Sequence, residues 1–351
     1  MEGRNWKKEV GPFIAMASVG SATVVINTLY KAATLKGLGY FVFIAYSYII
    51  GTLVLLPLPF IFRRSEHPDF TMPVFYRIVI VALFGILNNL CAYKGIEYSS
   101  TTLSSAMNNL TPAFTFVLAI IFRMENLDLR SSTTRLKIIG TVLSASGALI
   151  AVLYKGPMII SSTSSSPALE YPLGTSHSNW VIGGVLLVFQ NLFGSLWYIV
   201  QKQVMEVYPD EQMVSLIYFI CKTVIAVPIC LVVEAKWSHW TLKPDIALVT
   251  IVVAGLFGPS YNTLLNTWVL HLKGPLYTSI FTPFSIAIAA AFGVIFLADS
   301  LFLGSVLGAT VLLFGFYAVI WGKAQEEGAK VCETENLRAS HEGMTPLLQS
   351  C

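Results

Sequence analysis

Ten stretches free of charge, one lysine apart, follow one another through the chain, most of them long enough to cross a lipid bilayer as a helix. They run from Val10 to Tyr30, Gly37 to Phe62, Ile78 to Tyr93, Tyr98 to Phe122, Ile138 to Tyr154, Trp180 to Gln201, Gln212 to Val233, Ile246 to Leu270, Gly274 to Ala298 and Ser300 to Gly322. The third and fifth are short, and only a turn around Asp299 parts the last two. A chain of 351 residues that is 55% hydrophobic and 12% charged has hydrocarbon as its solvent, since soluble domains carry about a quarter of charged residues. In hydrocarbon every backbone polar group must find its partner within the protein, so the runs are expected as helices. The predicted class is an all-α integral membrane protein with ten transmembrane helices.

Other classes fall away for lack of the residues they need. A net charge of +3, with 22 basic residues scattered between apolar runs, gives no stripe for a nucleic acid partner. The five cysteines have neither disulfide nor metal-ligand spacing. The histidines, His67, His177, His239, His271 and His341, fall in loops, helix ends or the tail, and no His-Glu-x-x-His, Gly-x-Ser-x-Gly or phosphate loop occurs. No catalytic residue, metal or cofactor is expected, and the expected partners are a small molecule and the bilayer. No small-residue cleavage site follows the first apolar run, so that run is expected to stay as a helix.

If the spans alternate from a cytoplasmic N-terminus, every arginine falls inside, whereas Lys31, Lys36, Lys94, Lys155, Lys236 and Lys243 fall outside. That bias predicts both termini in the cytoplasm. The chain divides into an N-terminal segment (1–9), five helices (10–155), a Ser-rich extracytoplasmic linker (156–179), five more helices (180–323) and a cytoplasmic tail (324–351). The two halves repeat. Lys31 matches Lys202, Pro57 matches Pro228 and Pro112 matches Pro283, all at an offset of 171. Gly140 and Gly147 match Gly308 and Gly315 at 168. Five is odd, so the second half must enter the membrane inverted, unless Gly and Pro, common in spanning helices, recur by chance.

The sequences "NNLTPAF" and "SIFTPFS" place a proline after a threonine at corresponding points of the fourth and ninth runs. Proline frees the carbonyl four residues back, here on Asn108 and Ser279, and such groups at membrane depth must face protein or a water-filled cavity. Alone, each would serve equally as a plain kink. Asn108 and Asn109, costly against lipid, tip the reading toward a midplane site with Pro112 and Pro283 as hinges. Asn108, Asn109 and Thr111 are expected to face Tyr277, Phe281 and Thr282 across it.

Further candidates follow from charge and helical spacing. Lys222 sits mid-span, where it cannot easily reach the interface, and an intramembrane charge points to function. Lys31 and Lys202 end symmetric helices and could draw a carboxylate or equally snorkel outward. Gln190, Trp197 and Gln201 share a face of the sixth helix. Asn88 and Asn89 on the third helix, with Tyr261, Asn262 and Asn266 on the eighth, would complete a polar lining. Each amide taken singly is more often used to bond helix to helix.

The stretch "KGPLYTSIFTPFSIAIAAAFGVIFLADSLFLGSVLGATVLLFGFYAVIWGK", Lys273 to Lys323, resembles the second EamA repeat of the plant nodulin-21-like, UMAMIT or Walls-Are-Thin-type carriers of the drug/metabolite transporter superfamily. "LYKAATLKGL" and "SSAMNNLTPAFTFVLAIIF" resemble the first repeat, and "LWYIVQKQVMEVYP" resembles the family's sixth helix. Asp299 stands where the family usually has Glu, and "GSATVVINTLY" is more polar than its usual first helix. The resemblance implies two inverted five-helix EamA repeats carrying amino acids or related small organic acids, with auxin or another metabolite as an alternative cargo. A receptor or scaffold without flux is the reading from another class. No carboxylate is expected at mid-helix, which leaves Lys222 as the one titratable candidate there and predicts facilitated, bidirectional movement. The expected location is the plasma membrane, or the vacuolar membrane if "HEGMTPLLQSC" acts as a dileucine signal.

Overall fold

The structure is a computed structural model, and it describes residues 10–34, 36–61, 70–98, 104, 107–124, 131–154, 157–160, 177–235, 240–242, 245–283 and 301–341. Asp299, most of the Ser-rich linker and the dileucine-like end of the tail lie outside the described residues. Its longer helices are α1 (Gly11–Thr34), α2 (Tyr40–Leu55), which a single helical turn (Leu58–Ile61) follows, α3 (Met72–Tyr98), α4 (Thr111–Ile121), α5 (Ser132–Leu153), α6 (His177–Val207) and α7 (Glu211–Val233). They continue with α8 (Ile246–Phe257), α9 (Pro259–Lys273), α10 (275–283) and α11 (Leu303–His341). One small antiparallel ribbon joins β1 (Met158–Ile160) to β2 (Leu301–Phe302).

Among the described residues, six helices are long and apolar enough to cross a membrane: α1, α3, α6, α7, α11, and α8 taken with α9. Two shorter apolar helices, α2 and α4, accompany them. The protein is a multi-pass membrane protein whose apolar side chains point outward as well as inward, with Val224, Val232 and Phe314 exposed where a soluble protein would place charge.

Helix ends depart from the apolar runs where polar groups can reach out. α3 begins at Met72, ahead of the charge-free run, and ends at Tyr98, because the exposed Arg77 and Lys94 near its ends do not have to leave a helix to be solvated. The fourth run is not one helix: its first residue belongs to α3, and α4 starts only at Thr111, with Pro112 in its first turn where the missing N–H is harmless. Asp210 caps α7 by accepting from the N–H groups of Gln212 (3.1 Å) and Met213 (3.0 Å). Gly37, at φ 96°, closes α1 with N–H bonds from Gly37 to Thr34 and from Leu38 to Ala33, a turn that requires a left-handed residue.

The tightest seam is between α5 and α11. Gly140 and Gly147 on one helix meet Gly315 and Gly308 on the other, and a Cβ built on Gly140 would lie 2.7 Å from the Gly315 carbonyl oxygen. Small residues bring the backbones together, which is how helices gain dispersion energy where lipid removes the hydrophobic drive. At one end of the seam Lys137, only 2% exposed, donates to Glu326 at 2.8 Å, with Lys323 3.7 Å from the same carboxylate. Elsewhere α3, α6 and α7 pack through Ile78, Val81, Met205 and Phe219. Above that core the helices leave room.

Candidate functional site

Within the membrane-spanning region α3, α4, α6 and α7 enclose a chamber of about 280 Å³. Two glycines make it possible. A Cβ on Gly194 of α6 would lie 2.8 Å from Nδ2 of Asn88, and one on Gly85 of α3 would collide with the Tyr218 hydroxyl. Of the residues expected at the site, Asn88, Asn89, Asn108, Thr111, Gln190, Trp197, Lys222 and Thr282 line this chamber.

The break ahead of Pro112 supplies part of the lining. The Thr111 hydroxyl lies 2.7 Å from both the freed Asn108 carbonyl and Asn191 Oδ1, so its one proton is shared between the break and α6, and the Asn108 side chain is left for the chamber. Gln190 Nε2 donates to Asn108 Oδ1 at 2.8 Å, and Asn88 Nδ2 donates to the Gln190 carbonyl at 2.8 Å. Thr111 and Thr115 of α4 face Asn191 and Ser195 of α6 at 2.7 and 3.1 Å, two rungs four residues apart that fix the register of the two helices. Gln190 Oε1 has no hydrogen-bond partner among the described residues.

Lys222 lies half-way along α7, 7% exposed, with its Nζ 4.6 Å from the centre of the Tyr48 ring and 5.5 Å from that of Tyr218. Ring faces hold a cation by their quadrupole, at about 2 kcal/mol when desolvated, without consuming its hydrogen-bond donors. Among the described residues no carboxylate pairs with it. Tyr48 is held in turn by Asn89, whose Nδ2 donates to its hydroxyl.

A second chamber of about 190 Å³ adjoins the first. α1 contributes Met16, Val19, Gly20 and Thr23, α9 contributes Asn262 and Asn266, and α10 contributes Thr278, Phe281 and Thr282. Tyr198 and Thr282 belong to both chambers, and their hydroxyls hydrogen-bond each other.

The remaining expected residues whose side chains are described lie away from both chambers. Gln201, fully buried, donates to Thr267 Oγ1 at 3.0 Å and so joins α6 to α9. Tyr261 shares a 2.9 Å hydrogen bond with Ser18, and Tyr277 packs on Phe281 with ring centres 5.4 Å apart. Asn109 is fully buried at the break, with no partner for either amide atom among the described residues. Lys202 donates to the His271 carbonyl at 2.8 Å, near Glu206. The Lys31 side chain, and residues 284–300 that follow Pro283, lie outside the described residues.

Sequence reasoning passed over Tyr48, Tyr198, Tyr218, Gly194 and Thr23. A signal existed for two of them. Tyr198 lies four and seven residues from Gly194 and Asn191, and Tyr218 lies four before Lys222, so each shares a helix face with a residue of the chamber.

Comparison with known proteins agrees with this architecture. The EamA-like transporter family matches residues 11–153. WAT1-related protein At5g40240 of Arabidopsis thaliana is 52% identical over 334 residues, covering 93% of this chain and 91% of its own. WAT1-related protein At4g15540 of the same plant is 49% identical, covering 93% and 92%. A solved structure titled only as the crystal structure of a protein shares the fold at a TM-score of 0.63 and 13% identity, over 89% of this chain and 98% of its own. A multi-pass helical protein enclosing a polar chamber, with relatives this close over nearly its full length, belongs to the EamA-like transporter family as a WAT1-related membrane transporter.

Proposed function

We propose that the chain carries small carboxylates, amino acids first among them, by alternating access, and that the substrate carboxylate docks on Lys222. The observation that carries the reading is the setting of that lysine, a cation among amides and ring faces with no carboxylate partner among the described residues. An arriving carboxylate and the ammonium group stabilise each other's charged forms through short charge-assisted bonds. Gln190 Oε1 is an uncommitted acceptor suited to an α-ammonium group. An indole acid such as auxin would use Lys222 and the Trp197 and Tyr218 rings but would leave that acceptor empty, so a zwitterion fits better.

Ten helices in two inverted repeats of five are part of the same proposal. Thr52 and Thr223, which are 171 apart, share a hydrogen bond of 2.8 Å, as equivalent residues on a pseudo-two-fold axis should. The seam supports it in another way. Gly140 meets Gly315 and Gly147 meets Gly308, a reciprocal exchange of partners between positions that match at 168. Both termini would lie in the cytoplasm, and the plasma membrane is the proposed location.

The test is initial uptake of labelled amino acids, organic acids and auxin into proteoliposomes holding the purified chain. Lys222→Met should lower uptake of every carboxylate by roughly thirtyfold or more, the equivalent of about 2 kcal/mol for one charged hydrogen bond. Unchanged uptake in that variant overturns the reading. With the membrane potential clamped to zero, an imposed pH gradient should not drive accumulation if movement is facilitated and bidirectional.

A further inference from the structure

The lining of the second chamber repeats that of the first. Val19, Gly20 and Thr23 of α1 match Gln190, Asn191 and Gly194 of α6 at the repeat offset of 171, and Thr282 matches Thr111 at the same offset. Asn262 matches Asn89 at 173, the spacing that also relates Gly85 to Gly258. Half of the second chamber's lining residues are thus counterparts of first-chamber residues, as a site and its image across a pseudo-two-fold axis should be.

The two images differ in polarity. Where the first has the Gln190 and Asn191 amides, the second has a valine and a glycine, and the counterpart of Lys222 at 171 is Gly51, where a Cβ would already stand 3.3 Å from the Phe219 ring. No charged side chain lines the second chamber among the described residues. Its polar groups are largely spent. The Thr23 hydroxyl donates to the Val19 carbonyl at 2.8 Å and accepts from Asn262 Nδ2 at 3.1 Å. Asn262 Oδ1 is buried away from the cavity, and the fully buried Thr278 donates to the Gly274 carbonyl at 3.0 Å. Asn266 donates one amide proton to the Asn262 carbonyl at 2.7 Å and keeps the other, which makes it the polar corner of a chamber whose other walls, Met16, Val19 and Phe281, are carbon.

We propose that the two images have diverged into head and tail pockets of one substrate site: the first chamber holds the charged end on Lys222, and the second takes the apolar side chain of the same amino acid. This assignment rests on the carboxylate reading of Lys222 and on the repeat proposed with it. An apolar side chain gains from leaving water for carbon walls, whereas a polar one gives up its hydration for a single amide corner. The chambers adjoin at one hydrogen-bonded pair, Tyr198 with Thr282, so a substrate that spans both displaces only that bond. Specificity then resides in Val19, which replaces an amide by carbon at the position that Gln190 holds in the first chamber.

The experiment uses proteoliposomes of the full chain and four amino acids at equal low concentration, L-leucine, L-alanine, L-glutamine and L-phenylalanine. Wild type should take up leucine at least about tenfold faster than alanine, which leaves the second chamber empty. Leucine should also exceed glutamine about tenfold, since the two are of similar size but glutamine must desolvate a carboxamide. Val19→Gln, which restores an amide to the image position, should lower the leucine-to-glutamine ratio about tenfold. Val19→Ala enlarges the chamber and should raise the phenylalanine-to-leucine ratio about threefold. Size-exclusion profiles report folding, and V19A decides if V19Q fails to fold. Equal uptake of leucine, alanine and glutamine by wild type, glutamine ahead of leucine, or ratios unmoved in the folded variants overturns the tail pocket while leaving Lys222 untouched. Absence of uptake for all four overturns the carboxylate reading itself.

Discussion

At the α5–α11 seam, four glycines bring two backbones together and leave no room for a chamber between them. Between α3 and its neighbours α6 and α7, Gly194 and Gly85 likewise remove side chains, yet Asn88, Gln190 and Tyr218 fill only part of the gap and the remainder is a chamber. The same residue type therefore does opposite work, and its surroundings decide which. Glycine facing glycine closes a helix pair by dispersion. Glycine facing an amide makes space that only hydrogen-bonding partners can fill.

The largest test of that contrast is Gly147→Leu. Its Cβ would meet Gly308 O at 2.8 Å and the Leu312 backbone closer still, and a rigid seam cannot move away as a flexible side chain would. Overpacking of this kind costs about 3 kcal/mol or more, a large part of a typical stability, so most of the folded protein should be lost. A monodisperse profile with wild-type yield would show that the seam is loose. Next in size is the Lys222→Met loss of uptake argued above, which should appear with folded yield intact and so separates chamber from scaffold.

How much of this was legible in the sequence can be judged residue by residue. Charge-free runs located the six described helices that are long and apolar enough to cross a membrane, because solvation in hydrocarbon is a property of composition. Helix ends such as that of α3 were not legible, since an exposed Arg77 can extend a helix as easily as end one. Lys222 stood out as a mid-span charge. The amide assignments did not follow, because Gln201 and Gln190 share a helix face yet one bonds Thr267 while the other reaches the chamber. Which neighbour an amide meets depends on tertiary packing, and spacing along one helix carries no record of it.

Gln201 sharpens the comparison at a smaller scale. Gln201→Leu removes one interhelical hydrogen bond, about 0.6 kcal/mol in membranes, and should lower the melting temperature slightly while leaving uptake per folded molecule near wild type. Loss of uptake at unchanged folding would instead put α6 beyond Tyr198 on the substrate path.

The smallest effect belongs to an exposed ion pair that sets off the buried pair at the seam. Lys36 donates to Asp245 at 3.0 Å, tying the turn after α1 to the start of α8, and both side chains are about half exposed. The N–H of Ile246 first, and Lys36 second, hold the Asp245 carboxyl below its usual range. A depressed value in the folded state means stability that is present above the unfolded carboxylate value, about 3.9, and that is lost as pH falls through the folded one. Asp245→Asn keeps the helix cap, because asparagine caps as well as aspartate, and removes only the charge. At pH 7 and low salt the variant should melt marginally below wild type. The gap should close in high salt, where exposed charges are screened, and again once acid protonates Asp245. A gap that survives both treatments would mean that the Asp245 charge is not what binds these two ends together, leaving the cap and the packing of α1 on α8 to hold them.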